Sequence, residues 1–437
     1  MNDQIRALYE SKLTTAQEAV KCVKSGQTVY IGTCSSLALA LCEALGERGG
    51  ELEDVNIACS QIVPPMALFS GEHPEAFHAT TYFMGAQERS MYRKGLADFT
   101  CVHLSQVDIF CRETAPADVA FFEVSPPDEN GYMSYGATGV ALHCYIKETA
   151  GHIVAQVNPN APYVFGEDNL IHISEVDAVV EAARPLPENP NMAGDETIDT
   201  ISRFLLDQIG DGACIQLGLG GVANAVGFGL KEKNDLGAHT ELIGDAIMEL
   251  MKLGVLNNSR KTYFPGKTVA SFSFGSRALY DFIHRNPDVY YQPFPVVNDP
   301  VNIAKNDNMI SINTAMAADI FGQINADNIA GRQHSATGGQ VDFVRGAQMS
   351  RGGKSFIAMT STLKDKQGNL QSRIVTRLPL GSCVTTPRSD VQYVATEYGC
   401  VNLKPLSMKD RIRAMISLAH PSFRQQLTDD AREAGLL

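Results

Sequence analysis

The sequence predicts an α/β protein built from two tandem, topologically similar halves. Short β runs alternate with helical stretches through the first half. The same pattern restarts in the second half about 186 residues later. Between the halves lies RPLPENPNMAGDETID (184–199), whose three Pro, two Asn and acidic run suit an exposed connector. This places one domain at 1–186 and a second at 187–437.

In the first half, Thr14 is a plausible N-cap for a helix over 15–24, and Gly26 ends it. Thr28–Ile31 form a β run closed by Gly32. A helix over Ala38–Leu45 and a strand over Val55–Cys59 follow, then strands at Val119–Val124 and Ile153–Val157. In the second half, a helix over Ile198–Ile209 leads through GDG into a strand over Ala213–Leu217. A helix over Val222–Leu230 and a strand over Thr240–Ile243 come next. Aligning Gly26 with Gly212 brings Gly32 onto Gly218, so SGQTVYIG and GDGACIQLG match in pattern.

The bulk numbers exclude several classes. With 437 residues, 44% hydrophobic and 19% charged, the chain can bury a full core. A formal net charge of −13 argues against a dedicated nucleic-acid binder, although a few local donors can still hold an anion. No apolar run reaches the ~18 residues of a membrane span. The polar N-terminus MNDQIRALYESKLTT lacks a signal-peptide core, so the expected location is the cytoplasm. The ten cysteines (22, 34, 42, 59, 101, 111, 144, 214, 383 and 400) include no C-x-x-C pair, and none has zinc spacing beside histidine. They read as reduced thiols, and no metal is expected.

Four segments could carry chemistry. The first is Gln216-Leu217-Gly218-Leu219-Gly220-Gly221, at a strand-to-helix turn. It can be a ligand loop at a helix N-terminus or simply tight strand–helix packing. Its spacing is neither G-x-G-x-x-G nor a P-loop. The second is Gly237-Ala-His-Thr-Glu241, with Glu241 expected near the start of its strand. The third, Gly338-Gly339-Gln-Val-Asp-Phe-Val-Arg345, reads as a glycine-rich loop running into a short β run. It suits an oxyanion or amide site, or a plain hairpin turn. The fourth is VTTPRSDVQYVATEYG (384–399), where Arg388 and Asp390 form a polar cluster before a strand at Val391–Ala395.

Together with SPPDENGYMSYG (125–136), VNDPVNIAKNDNMISINTA (297–315) and DIFGQINAD (319–327), these segments resemble the class I CoA-transferases. Within that class the resemblance is to the acetyl-CoA hydrolase/transferase branch, nearest its 4-hydroxybutyrate and butyryl-CoA:acetate transferases. It covers nearly the whole chain. It implies two similar α/β domains, a homo-oligomer, and coenzyme A as part of the acyl-CoA substrate. The family's nucleophile in G-x-H-T-E maps onto Glu241. Its CoA-contacting loop maps onto Gln216, Leu217, Gly218, Leu219 and Gly220, with further contacts near Met316, Gly338, Gly339 and Lys366. An active-site asparagine maps onto Asn298 in VNDP.

The chemistry so implied is CoA exchange between short-chain (C2–C5) carboxylic acids, such as butyrate, 4-hydroxybutyrate and acetate, through a glutamyl-CoA thioester. Glu241 must be ionised to attack. Because burial raises a carboxyl pKa, a donor such as Gln216 or Asn298 should offset it. Competing readings are an acyl-CoA hydrolase using the same glutamate and a CoA-ester sensor without turnover. A nucleotide-linked oxidoreductase is disfavoured by the glycine spacing. A dicarboxylate substrate such as itaconate or succinate would need cations, for which Arg89, Arg93, Arg332 and Arg345 are available.

Overall fold

The computed structural model describes residues 2–189, 194–329 and 331–437. It divides into two units. The first comprises Met1–Pro190, Ile243–Asp245 and Val269–Val297. The second comprises Asn191–Leu242, Ala246–Thr268 and Asn298–Leu437. A division by sequence order at 186/187 differs from this in three segments, 187–190, 243–245 and 269–297, which cluster with the first unit. Residues 190–193 of the expected connector lie outside the described residues, and by Glu196 the chain is already helical.

The first unit is built on a sheet whose main path runs Ala178–Glu181, His152–Val157, Val119–Val124, Thr28–Thr33, Val55–Ser60, Phe77–Thr81, Ala97–Phe99. Every pairing along that path is parallel. Parallel strands need helical crossovers, which cover the sheet faces, so the strands read as continuous apolar runs. VAFFEV is buried at all six positions. Val29, Ile31, Ile57 and Phe121 pack with Leu41 and Leu45 of the helix Leu39–Gly46.

The second unit repeats that plan. Its sheet runs Gly237–Ala238, Cys214–Leu217, Met309–Thr314, Lys354–Ala358, Tyr393–Thr396, with an antiparallel edge strand at Gly399–Asn402. In each unit the first long strand lies between the next one on one side and three later parallel strands, in chain order, on the other. The two units therefore share one topology, as the matched phrases SGQTVYIG and GDGACIQLG imply. Val344, Ile357 and Val394 pack with Ile412 and Met415 of the helix Met408–Leu418 to form the core here.

Three expected elements differ. The segment after Gly338-Gly339 is a ten-residue helix, Gln340–Met349, and not a β run. The alternation Val341-Asp-Phe343 imitates period two, but Val341, Val344 and Ala347 also stand at helical spacing, and the helix is buried on most sides. Near Glu241, the first strand is Gly237–Ala238, and Leu242–Ile243 form a separate short one. The helix over 15–24 is a single turn, Ala16–Ala19, followed by a 3₁₀ turn. It is capped by Thr15 in place of Thr14. Among the described residues no helix is long and apolar enough to cross a membrane.

Candidate active site

The site grows from the short strand Gly237–Ala238. It pairs in parallel with Cys214–Leu217, with Ile215 opposite Ala238, and His239 N–H donates to Ile215 O at 3.2 Å. Glu241 therefore falls three residues past the carboxyl end of Gly237–Ala238, and immediately before the short strand Leu242–Ile243 that remains of the expected one. The strand begins three residues earlier than its side-chain pattern suggests, because glycine and alanine give no β signal. The correction moves Glu241 to the sheet edge where open α/β sheets bind ligands.

Buried polar groups grip this strand from beneath. Lys261 Nζ donates to Ala238 O at 2.8 Å and to Lys267 O at 2.6 Å. Its stem packs so closely on Gly237 that any side chain there would collide with it. Asn258, in the left-handed region that asparagine tolerates, accepts from Ala238 N–H at 2.9 Å and donates to Thr268 Oγ1 at 2.9 Å. Burial lowers the Lys261 amine to about 8.

Around the Glu241 carboxylate three pieces of chain converge. Asn298, fully buried, donates from Nδ2 to Glu241 Oε2 at 2.9 Å. Its Oδ1 is buried without a hydrogen-bond partner among the described residues. The residues after Asn298 fix its place, since Asp299 caps the helix Pro300–Ala304 and proline fills the first helical position. The third piece is Gly339, N-cap of the helix Gln340–Met349. A Cβ on Gly339 would collide with both Glu241 Oε2 and Asn298 Nδ2. The glycine is there because carboxylate and amide occupy the space that a side chain would take. Burial pushes the Glu241 carboxyl up to about 7, the Asn298 hydrogen bond opposes the rise, and Asp342 adds to it.

The glycine loop lies at the carboxyl ends of the neighbouring strands. Gly218 N–H donates to Ile312 O at 2.9 Å, and Gly220, at φ 125°, faces the Thr314 methyl. The chain leaves Cys214–Leu217 toward one side of the sheet and Met309–Thr314 toward the other, so the loop sits at a topological switch point. Gln216 does not reach Glu241 by any hydrogen bond found. Its Oε1 accepts from Ser311 Oγ at 2.8 Å, and its amide faces that of Asn313 on the adjacent strand. Of the two donors expected to offset the burial of Glu241, Asn298 does so.

The remaining expected residues are more dispersed. Leu217 is buried and Leu219 exposed. Met316 is half-buried at the end of Met309–Thr314, its carbonyl held by Arg373 Nε at 2.8 Å. Gly338 takes φ 62° just before the cap. Lys366 is exposed in the turn joining Thr362–Lys364 to Leu370–Ser372. Among the arginines, Arg345 pairs with Asp390 at 2.8 Å, Arg332 is exposed on a short strand, and Arg89 donates to Met84 O at 3.0 Å. Arg388 lies 6.0 Å from the Phe321 ring, so the Arg388–Asp390 cluster resolves into two separate contacts. Sequence reasoning passed over Lys261, Asn258 and Asp342. No local signal marks the first two, and Asp342 gains meaning only once its segment is known to be helical.

Residues 1–187 match the acetyl-CoA hydrolase/transferase N-terminal domain, and residues 275–431 match the C-terminal domain of the same family. The chain belongs to the acetyl-CoA hydrolase/transferase family, and it is an enzyme of the CoA-transferase type. It is 38% identical over 433 residues to a butyryl-CoA:acetate CoA-transferase of Anaerostipes caccae, covering 98% of this chain and 97% of that one. It is 39% identical over 436 residues to a 4-hydroxybutyrate coenzyme A transferase of Clostridium kluyveri, covering 98% of each. The crystal structure of RipA from Yersinia pestis superposes with a TM-score of 0.94 at 37% identity, over 100% of both chains.

Proposed function

We propose that the protein transfers coenzyme A between short-chain (C2–C5) monocarboxylic acids, with Glu241 as the nucleophile. The observation that carries this reading is the seat of the Glu241 carboxylate, at the carboxyl edge of the second sheet and held between the Asn298 amide and the Gly339 backbone. The substrate class rests on the butyryl-CoA:acetate and 4-hydroxybutyrate transferases that the chain resembles over nearly its full length.

In the proposed reaction the Glu241 carboxylate adds to the acyl-CoA thioester carbonyl. CoA thiolate leaves, giving an acyl-glutamyl anhydride. The thiolate then adds to the glutamyl carbonyl and expels the free carboxylate, leaving a glutamyl-CoA thioester. A second carboxylate reverses both steps. The protein so divides one exchange into two halves, with ping-pong kinetics as the signature. A pKa of about 7 leaves Glu241 substantially ionised near neutrality while keeping it a better nucleophile than an ordinary carboxylate. Each tetrahedral intermediate carries an oxyanion. Since Gly218 N–H is engaged with Ile312, the donors suited to it are the first amides of the helices Gly221–Gly229 and Gln340–Met349.

The test is chemical trapping. The protein is incubated with butyryl-CoA or acetyl-CoA without acceptor, reduced with borohydride and mapped by mass. The expected result is a glutamate reduced to the alcohol in the Glu241 peptide, absent in Glu241→Ala. That variant should lose at least ~10³-fold in exchange. Continued turnover with Glu241 unmodified would overturn the assignment. CoA release independent of any acceptor acid would convert the reading to a hydrolase, and exchange confined to dicarboxylates would overturn the substrate class.

A further inference from the structure

One buried charge beside the nucleophile is unused by this mechanism. Helix Gln340–Met349 packs against the segment carrying Glu241 at two points. Its N-cap Gly339 meets the Glu241 carboxylate, and its Phe343 ring lies 6.3 Å from His239. Residues i, i+3 and i+4 share one helix face. Gly339 and Phe343 are i and i+4, so the i+3 position, Asp342, belongs to the face turned toward Glu241. Asp342 is 3% exposed. Resting on the reading of Glu241 as nucleophile, we propose that Asp342 is a positioning residue: its carboxylate, one helical turn from Gly339 on the face turned toward Glu241, strengthens the Glu241 carboxylate as a nucleophile.

Asn298, from the chain leading into Pro300–Ala304, is neutral and opposes the rise. His239 precedes Glu241 and Lys261 lies beneath Gly237–Ala238; the Lys261 ammonium is engaged with Ala238 O and Lys267 O, whereas Asp342 raises the Glu241 carboxyl. The carboxylate of Asp342 stands in the first turn of a ten-residue helix, where the partial positive charge of the N-terminus favours an anion. That same placement offers a purely structural role, helix capping, from which the proposal must be separated.

The test compares wild type with Asp342→Asn and Asp342→Ser, which remove the charge but keep a polar first-turn side chain. Two readouts are taken: the pH profile of kcat/KM for CoA exchange, and the titration of the Glu241 carboxyl by ¹³C NMR, assigned by difference from Glu241→Gln. The wild-type acid limb is expected near pH 7. In both variants the Glu241 titration and the limb should move to lower pH by about 1 unit, with kcat reduced severalfold on the alkaline plateau. An unmoved Glu241 titration in folded variants would reduce Asp342 to a helix cap and overturn the proposal. If the NMR titration moves while the kinetic limb stays, the influence of Asp342 stands and the assignment of Glu241 as nucleophile falls. Should the asparagine variant fail to fold, the serine variant carries the same comparison.

Discussion

At the residue scale, the arrangement turns on how little space surrounds the Glu241 carboxylate. Gly339 has φ −96°, a conformation open to any residue, so an alanine there meets no backbone strain. What it meets is Glu241 Oε2 and Asn298 Nδ2, both within collision distance. Gly339→Ala should therefore displace the carboxylate, or break its 2.9 Å bond to Asn298, while leaving the helix intact. A shift of this kind costs on the order of 10²-fold in rate. Steady-state exchange kinetics beside a thermal melt would check this. Near-normal kcat/KM in the alanine variant would show that the carboxylate needs no such seat.

At the scale of the element, a two-residue strand is an unsteady support, and the protein compensates from beneath. Gly237 and Ala238 have little intrinsic strand preference and almost no side chain to pack. Lys261 and Asn258 supply fixed polar partners, and Ile215 O holds the chain just beyond. Lys261→Met would keep the stem on Gly237 but strip Ala238 O and Lys267 O of their donor. Removal of a buried ammonium gives back some desolvation cost, but orphaned buried carbonyls cost about 1–3 kcal/mol each, so a net loss of about 2 kcal/mol is expected. Urea unfolding would measure it. The same variant should lose exchange activity, because Glu241 stands three residues beyond Ala238. An equally stable and active Met variant would mean that the strand holds itself.

At the scale of the whole molecule, stability should fall on the alkaline side. Burial pushes Glu123 up to about 8 and Glu88 up to about 7. Glu123, 2% exposed, accepts from Gln156 Nε2 at 3.2 Å and Asn158 Nδ2 at 3.1 Å through one oxygen, while the other has no partner among the described residues. A carboxyl with a raised value in the folded state holds its proton longer there than in the unfolded chain. Its stabilising contribution is complete below about 4.5 and is lost as pH rises through about 8. Glu123→Gln should therefore match wild type most closely near pH 5 and gain on it by roughly 2–3 kcal/mol between pH 6 and 9. Denaturant titrations at those two pH values decide the matter. A constant difference would mean that Glu123 does not titrate across that range.

The α/β class, the duplication and most long strands follow from the sequence alone, because each depends on local periodicity and on glycines at repeated offsets. Val119–Val124 falls at its expected bounds, and Val55–Ser60 and His152–Val157 each within one residue at either end. Glu241, Asn298 and Gly339 were also legible, through motifs that resemble a known family. Only the tertiary structure decided that these three meet, since 57 residues separate Glu241 from Asn298 and no local pattern encodes that approach. It also turned the Gly339 segment into a helix, where burial on nearly every side outweighs the β-like alternation of Val341 and Phe343. It moved Glu241 to the ligand end of its strand and left Gln216 bonded within the sheet. Periodicity records which face of an element is apolar. Which buried polar group stands beside which is set by the packing of distant segments, and there the identity of Asp342 and Lys261 first acquires a consequence.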